Sequence, residues 1–478
     1  MTRPWTSLED IDPAIPLGPL DGRYRSAVAP LVDHLSEAAL NRARIRVEIG
    51  WLVHLAGSKQ IPGVSALSSA DRTYLDEVVS SFGEAEIEEL AETERVTIHD
   101  VKAVEYFLKK RLADAAGSVP DTALPSLAEL VHFALTSEDV NNLAYALSIR
   151  GAVEDVWLPG ARALVDDLAS LAAEHADLAM LSHTHGQPAT PTTLGKEVAV
   201  IAARLKRQLR HVSGQEYLGK VNGATGTYAA HTVAVPKADW VKISKGFVEG
   251  LGLTWNPLTT QIEPHDWQAE LLNAVARFNN VLHNLATDVW TYISLGYFVQ
   301  VRGQGSVGSS TMPHKVNPIR FENAEANLEI SNALLGCLAT TLTTSRLQRD
   351  LTDSSTQRNI GVALGHSLLA IKNVRLGLAG LDVDPAALAR DLDDNWEVLG
   401  EAIQTAMRAA SLAGVPDMEN PYERLKDLTR GKKVDEKALR EFVGSLGLPD
   451  DVAARLASLT PSTYTGLASR LVSLLEKE

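Results

Sequence analysis

The chain has 478 residues, 45% of them hydrophobic, 22% charged and 5% aromatic, with 45 Lys plus Arg against 60 Asp plus Glu and a formal net charge of −15. That length supports roughly two to four domains and a large core, while the acidic balance excludes general binding to nucleic acid or anionic membranes, which needs a basic face. No apolar run approaches the about 20 residues of a membrane span, and residues 1–22, with four prolines and no apolar stretch, predict no signal peptide. The single cysteine, Cys337, excludes an intramolecular disulfide and a cysteine-based zinc or iron–sulfur site, so a reducing, cytoplasmic setting is expected.

Along the chain, residues 1–125 read as an N-terminal helical domain in which short helices alternate with Gly/Pro/Ser loops such as 61–69. Within it, Thr97 to Lys102 is a polar cluster opening an apolar-periodic helix, with Asp100 at the positive helix end. Residues 126–379 read as a central bundle of long helices. There Thr136 to Asn142 is a polar string between apolar segments, read as a helix cap. Val198, Ile201, Ala202 and Leu205 line one face of a helix over 197–210, which Gly214, Gly219, Gly223 and Gly226 end. Thr227 to Val235 is the best of few strand candidates. Between Pro264 and Pro313, Trp267, Leu271, Val275, Phe278, Leu282, Leu285, Val289 and Tyr292 recur at three- and four-residue steps, the stripe of one long helix. Leu328, Ile330, Leu334, Leu335, Leu338 and Leu342 mark another, in the segment between Pro318 and Pro385. Residues 380–478 read as a C-terminal helical domain with shorter helices, its charged stretch 426–437 a solvated face. The expected fold class is all-α. Helices this long bury little of their own surface, so the bundle is expected to complete its core by oligomerisation.

Five segments carry candidate chemistry. Gly303 to Pro318 opens with glycines at G-x-G-x-x-G spacing, but two prolines follow within ten residues, so the strand–turn–helix context of a dinucleotide fingerprint fails. The composition suits a Gly/Ser loop whose amides converge on an anion, with Ser309, Ser310 and Lys315 as chemical candidates. In Ser182 to Pro191, His183 and His185 have no third ligand nearby, so no metal is expected; a histidine beside Gly-Gln-Pro on a turn is suited to act as a general acid. The other three are the 97–102 and 136–142 clusters and the stretch from Arg349 to Arg358, which by itself reads as an exposed salt-bridged face.

Together the five resemble a known family. Gly308-Ser309-Ser310-Thr311-Met312-Pro313-His314-Lys315-Val316-Asn317-Pro318 is similar to the signature loop of the fumarase/aspartase superfamily. Asp21-Gly22-Arg23-Tyr24, His99 to Phe107, Thr136-Ser137-Glu138-Asp139, Thr184 to Pro191, Gln261 to Asp266 and Arg349 to Ser354 resemble adenylosuccinate lyases of the bacterial type, with Asn395 to Leu399 and Leu428 to Lys432 extending the likeness. Sister lyases such as argininosuccinate lyase, a non-catalytic helical scaffold and a nicotinamide-dependent oxidoreductase are the competing readings.

The resemblance implies a three-domain, homotetrameric fold with active sites shared between subunits. It implies β-elimination of fumarate from adenylosuccinate, giving AMP, and from the succinylated carboxamide ribotide of purine synthesis, without metal or organic cofactor. It assigns Ser309 as general base, His185 as general acid and Glu322 as the group orienting the imidazole; Lys315 and the loop amides are the means of stabilising the Ser309 alkoxide. Thr136, Ser137, Lys315 and Asn317 fall to the succinyl carboxylates; Arg23, Tyr24, Arg349, Ser354 and Arg358 to the nucleotide end, where a guanidinium suits a phosphate; His99 and Asp100 to an orienting pair; and Gln261 to a substrate amide contact. The chain departs from the family pattern twice: Ile98 stands where Asn is usual before His99, and His183 where Arg is usual before Thr184.

Overall fold

The computed structural model describes residues 16–301, 312, 315–429 and 434–477. Helices dominate: α1 (Glu37–Ser58), α2 (Glu84–Thr97), α3 (Asp100–Asp114), α4 (Ser137–Gly151), α5 (Leu158–Glu174), α6 (Leu194–Ser213), α7 (Ala229–Ala234), α8 (Asp266–Ser294), α9 (Ile319–Leu342), α10 (Thr352–Gln357) and α11 (Ile360–Leu378), with shorter helices beyond. Strands among the described residues form three two-stranded sheets, of which β1 (Ala179–Thr184) and β2 (Gln187–Thr193) make the longest, an antiparallel hairpin. No described helix is long and apolar enough to cross a membrane.

The residues fall into two compact units, the first drawn from Met1–Ala161, Gln208–Asn279 and Ala326–Ala370, the second from Arg162–Arg207, Asn280–Glu325 and Ile371–Glu478. In the first, Trp51, Leu52, Leu55, Val104, Phe107, Leu143, Trp157 and Phe278 are buried, and the Trp157 indole donates to Ser367 Oγ at 2.9 Å. The second has a C-terminal core of Ile403, Met407, Met418, Leu439 and Val443. Between α4 and α5 the backbone widens into a π-helical stretch over Ala152–Trp157, just ahead of Pro159 in the first turn of α5. A wider turn gives the proline ring room beside a carbonyl it would otherwise meet.

The period-3.6 stripes correspond to real helices, α8 and α9 among them, and α9 starts directly after Pro318. The strand expected over 227–235 is overturned. Ala229–Ala234 is a short helix entered through Tyr228 at φ 56°, and Val235 N donates to the His231 carbonyl at 2.9 Å. Tyr228, His231 and Val235 are spaced by three and four, and His231 and Val235 point inward and are buried. Packing of that face outweighs the strand preference of the Thr and Val residues between them.

The turn leading into α4 is held under tension by α1. His132 and Ala134 both sit at φ 58°, a left-handed conformation costly for side-chain-bearing residues. One turn of α1 grips this turn twice: Glu48 accepts from the His132 amide at 3.0 Å and pairs with its ring Nδ1 at 2.6 Å, and Trp51 Nε1 donates to the Phe133 carbonyl at 3.0 Å. Burial opposes the His132 cation, yet the Glu48 carboxylate overrides it and the histidine pKa rises above its ordinary value.

Two expectations follow. A histidine whose pKa is raised by folding contributes stability that is complete below about pH 6.5, its unfolded value, and is lost as pH climbs through the raised folded value. Thermal unfolding of the wild type and Glu48→Gln from pH 5.5 to 9 is expected to show the largest difference at the acid end, shrinking with pH; a difference independent of pH contradicts the assignment. Ile98 caps α2 in the left-handed region at φ 51° while 90% exposed. A β-branched residue is strained there and Asn is not, so Ile98→Asn is expected to stabilise the protein by about 1 kcal/mol, read from urea midpoints; no gain, or a loss, refutes the strain.

Candidate active site

The site is built on helix starts. α3 begins at Asp100, with His99 as its cap: His99 Nδ1 accepts from the Lys102 amide at 3.2 Å. The sequence placed only Asp100 at this helix end; the ring beside it does the capping. Asp100 Oδ1 accepts from the Val101 amide at 2.8 Å, leaving Oδ2 for two guanidiniums, Arg44 at 2.7 Å and Arg358 at 3.4 Å. Burial disfavours the carboxylate, but Arg44 beside it, the Val101 amide and Arg358 hold its pKa below the usual range.

From Asp100 the contacts run around a closed circuit within the first unit. Arg44, 1% exposed on α1, donates through Nε to Asn141 Oδ1 at 2.9 Å and through Nη1 to Asn41 at 2.8 Å. Asn141 Nδ2 donates to Glu138 Oε1 at 2.8 Å, and the same oxygen pairs with Arg349 Nη2 at 2.9 Å. Arg349 donates onward to Ser354 Oγ at 3.2 Å and to Gln261 Oε1 at 3.3 Å. Arg358 Nη1 donates to the Ser354 carbonyl at 3.0 Å, and its Nη2 returns to Asp100. Glu37 gives Arg358 a second carboxylate at 3.3 Å.

Asp100, Gln261, Arg349, Ser354 and Arg358, far apart in sequence, are thus brought together. Thr136 and Ser137 adjoin them at the start of α4, one turn from Asn141. The 349–358 stretch is only in part an exposed salt-bridged face: Arg358 is exposed and paired with carboxylates, while the other face of the stretch is buried. Asp353 is buried, its Oδ2 is 3.3 Å from His265 Nε2, and despite burial this bond holds its pKa below the ordinary range. Arg23 and Tyr24 lie outside the circuit; the Arg23 guanidinium stands 5.9 Å over the Tyr24 ring, and Tyr24 packs against the Leu20, Val28 and Leu369 cluster. A cavity of about 60 Å³, lined in part by Glu37, Tyr145 and Arg358, borders the circuit.

The sequence reading missed Arg44, Asn141, Lys220 and the structural roles of Glu138 and Asp139. For Arg44 a signal exists: Leu40, Arg44, Val47, Glu48, Trp51, Leu52 and Leu55 form the buried stripe of α1, and a charge inside an apolar stripe demands a partner. Lys220 carries no such mark.

In the second unit, His185 and Gly186, at φ 55° and 72°, are the two central residues of the β1–β2 hairpin, whose strands close with Thr184 opposite Gln187. Positive φ at both positions is the requirement of a two-residue type I′ hairpin turn, and the imidazole stands exposed at its tip. The turn feeds strand β2 first, and the helix after Pro191 starts at Leu194. Glu322 lies in the first turn of α9 and accepts from Trp290 Nε1 at 3.3 Å. No hydrogen bond joins His185 to Glu322 among the described residues of the chain. Lys315 and Asn317 precede α9, the Lys315 amide donating to the Met312 carbonyl at 3.0 Å. Ser309 and Ser310 lie outside the described residues.

Comparison with known proteins identifies the family. A lyase family model matches residues 22–330, and a model described as adenylosuccinate lyase C-terminal matches residues 345–465. The chain is 48% identical over 460 residues to the adenylosuccinate lyase of Escherichia coli K12, covering 96% of this chain and 98% of the relative, and 48% identical over 459 residues to that of Haemophilus influenzae, with the same coverage. A solved fumarate lyase from Mesorhizobium sp. BNC1 superposes with a TM-score of 0.72 over 94% of this chain and 98% of the other at 19% identity, a likeness of fold. The all-α, fumarase/aspartase-type architecture and the lyase class are thereby established, and the chain belongs to the adenylosuccinate lyase family.

Proposed function

We propose that the chain releases fumarate from adenylosuccinate, giving AMP, and from the succinylated carboxamide ribotide of purine synthesis. The observation that carries this reading is the convergence of Arg349, Arg358, Ser354 and Gln261 around the Asp100–Arg44 pair, a polar cluster whose guanidiniums and amide suit a phosphorylated, amide-bearing ligand.

In this reading Ser309 removes the succinyl β-proton, and the bond electrons move into the adjacent carboxylate. A serine hydroxyl needs its alkoxide stabilised to do so, which falls to the loop amides and Lys315. Thr136, Ser137, Lys315 and Asn317 serve the succinyl carboxylates, where preorganised donors act on developing charge. His185 protonates the departing nitrogen, with Glu322 setting the imidazole orientation. Arg23 and Tyr24 join Arg349, Ser354 and Arg358 at the phosphate, and His99 orients the ligand with Asp100.

We further propose a cytoplasmic homotetramer of three-domain subunits, divided at about residues 125 and 380, whose sites are shared. The exposure of His185 at the hairpin tip supports a relay completed between subunits.

Ultraviolet absorbance during incubation with adenylosuccinate is expected to report fumarate release by the wild type and losses of roughly 100-fold or more in Ser309→Ala and His185→Ala. A wild type without turnover points to the silent scaffold; full rates in both variants refute the residue roles. If sites are shared, mixing the two inactive variants under subunit exchange regenerates some intact sites and restores part of the activity. Light scattering at the monomer mass, or no recovery in a verified mixed oligomer, rejects sharing.

A further inference from the structure

We infer that Lys220, a lysine with no direct part in the proposed chemistry, is a positioning residue: by neutralising Asp139 it fixes two substrate-facing segments at once. Both side chains are fully buried, with Nζ 2.8 Å from Asp139 Oδ1. The carboxylate accepts three further bonds, all from backbone amides: Asn222 at 3.0 Å on Oδ1, and Gly223 at 3.1 Å and Thr136 at 2.9 Å on Oδ2. One anion therefore ties the Thr136–Ser137 turn to the 220–226 loop.

That loop reaches the other side of the site. Asn222 Nδ2 donates to Thr259 Oγ1 at 2.7 Å, and the Ala224 carbonyl accepts from Gln261 Nε2 at 3.0 Å. Gly226, at φ 78°, lies so close to the Thr259 carbonyl that a Cβ there would collide with it. Asn142 locks the base of the loop, accepting from the Lys220 amide at 2.9 Å and donating to its carbonyl at 3.1 Å. Gln261 and Thr136 are thus held in register through a single carboxylate, and its four acceptor bonds all depend on its remaining an anion.

A buried carboxylate deprived of its counter-ion takes up a proton. A protonated Asp139 would turn one oxygen into a donor, pointing a hydrogen at an amide it now accepts from. The other titratable groups whose charge reaches this site are His132 before α4, Tyr228 at the cap of α7 and His231 within α7, the last kept neutral by burial, its pKa lowered. None of them takes the place of Nζ, which is in direct contact.

This inference rests on the reading that Thr136, Ser137 and Gln261 face substrate; turnover of adenylosuccinate by the wild type tests that reading by itself. With an active wild type in hand, the full-length Lys220→Met variant is expected to lose between about 10- and 100-fold in kcat/KM at pH 7, the scale of a misplaced contact, and to regain activity as pH rises and Asp139 reionises, a limb that the wild-type profile lacks. The double variant Lys220→Met/Asp139→Asn removes the uncompensated charge and so keeps the protein folded if the single variant does not. It is expected to show a comparable loss with no new pH limb, because an amide nitrogen now faces one of the backbone N–H groups. A folded double variant with wild-type kcat, KM and pH profile overturns the proposal. So does a Lys220→Met variant that loses only thermal stability while its kinetics stay unchanged.

Discussion

Two neighbouring carboxylates buried at the start of one helix constrain the rest of the first unit. Glu138 and Asp139 occupy the first turn of α4 with side chains 3% and 0% exposed. Burying an ion is tolerated when a partner of opposite charge and a full set of hydrogen bonds accompany it. The positive end of the helix supplies some of that compensation, but two anions in sequence need more. Successive residues on a helix point about 100° apart, which is why the two seek partners on different sides. Glu138 turns to Arg349 and Asn141, and through them to Arg44 and Asp100. Asp139 turns to Lys220 and the amides of the 220–223 loop. Segments as distant as α1, the start of α3, the 256–261 loop and α10 are organised by the need to satisfy this pair.

The cations of the circuit differ in what they are free to do. Arg44 is buried, and its three donors make bonds of 2.7–2.9 Å. Turning it toward a ligand would strand Asp100 and Asn141, so it is part of the scaffold. Arg358 is 43% exposed, and its carboxylate contacts are long, at 3.3–3.4 Å to Glu37 and Asp100. Exposed pairs of that kind contribute little. In the proposed reaction a phosphate competes with two loosely held carboxylates for Arg358, at small cost to the fold, while Arg44 keeps Asp100 in place throughout.

Legibility in the sequence follows from the range of the interactions. The long helices are readable because burying one face imposes a 3.6-residue period on every turn, and proline marks where it begins; α8 and α9 start just after Pro264 and Pro318. The signature loop and the Thr136, His185, Gln261 and Arg349 segments are readable because a family motif is local. Arg44 is half-readable, as a charge on an apolar stripe whose partner, Asp100, lies 56 residues away. Lys220 is unreadable: it sits between Gly219 and Val221 in an irregular stretch, and its meaning comes from a carboxylate 81 residues earlier. Thr227–Val235 misleads for a related reason. Its residue types suit a strand, and the burial of His231 beside Trp240, which makes it helical, is tertiary.

The acidity of the whole chain and the charge balance of its site are one design seen at two scales. A net charge of −15 spread over the surface repels long polyanions, whose binding grows with each neutralised phosphate. Inside the circuit, the guanidiniums of Arg44, Arg349 and Arg358 stand against the carboxylates of Glu37, Asp100 and Glu138. A locally balanced cluster is affordable in an acidic protein because each cation is already held by an anion of the same fold. In the proposed reaction it also sets selectivity: a small anion must offer Arg349 and Arg358 better geometry than the carboxylates it displaces, which a phosphate with several acceptor oxygens does and a monovalent ion does not. The acidic exterior excludes by long-range repulsion, and the balanced interior selects by competition at contact distance.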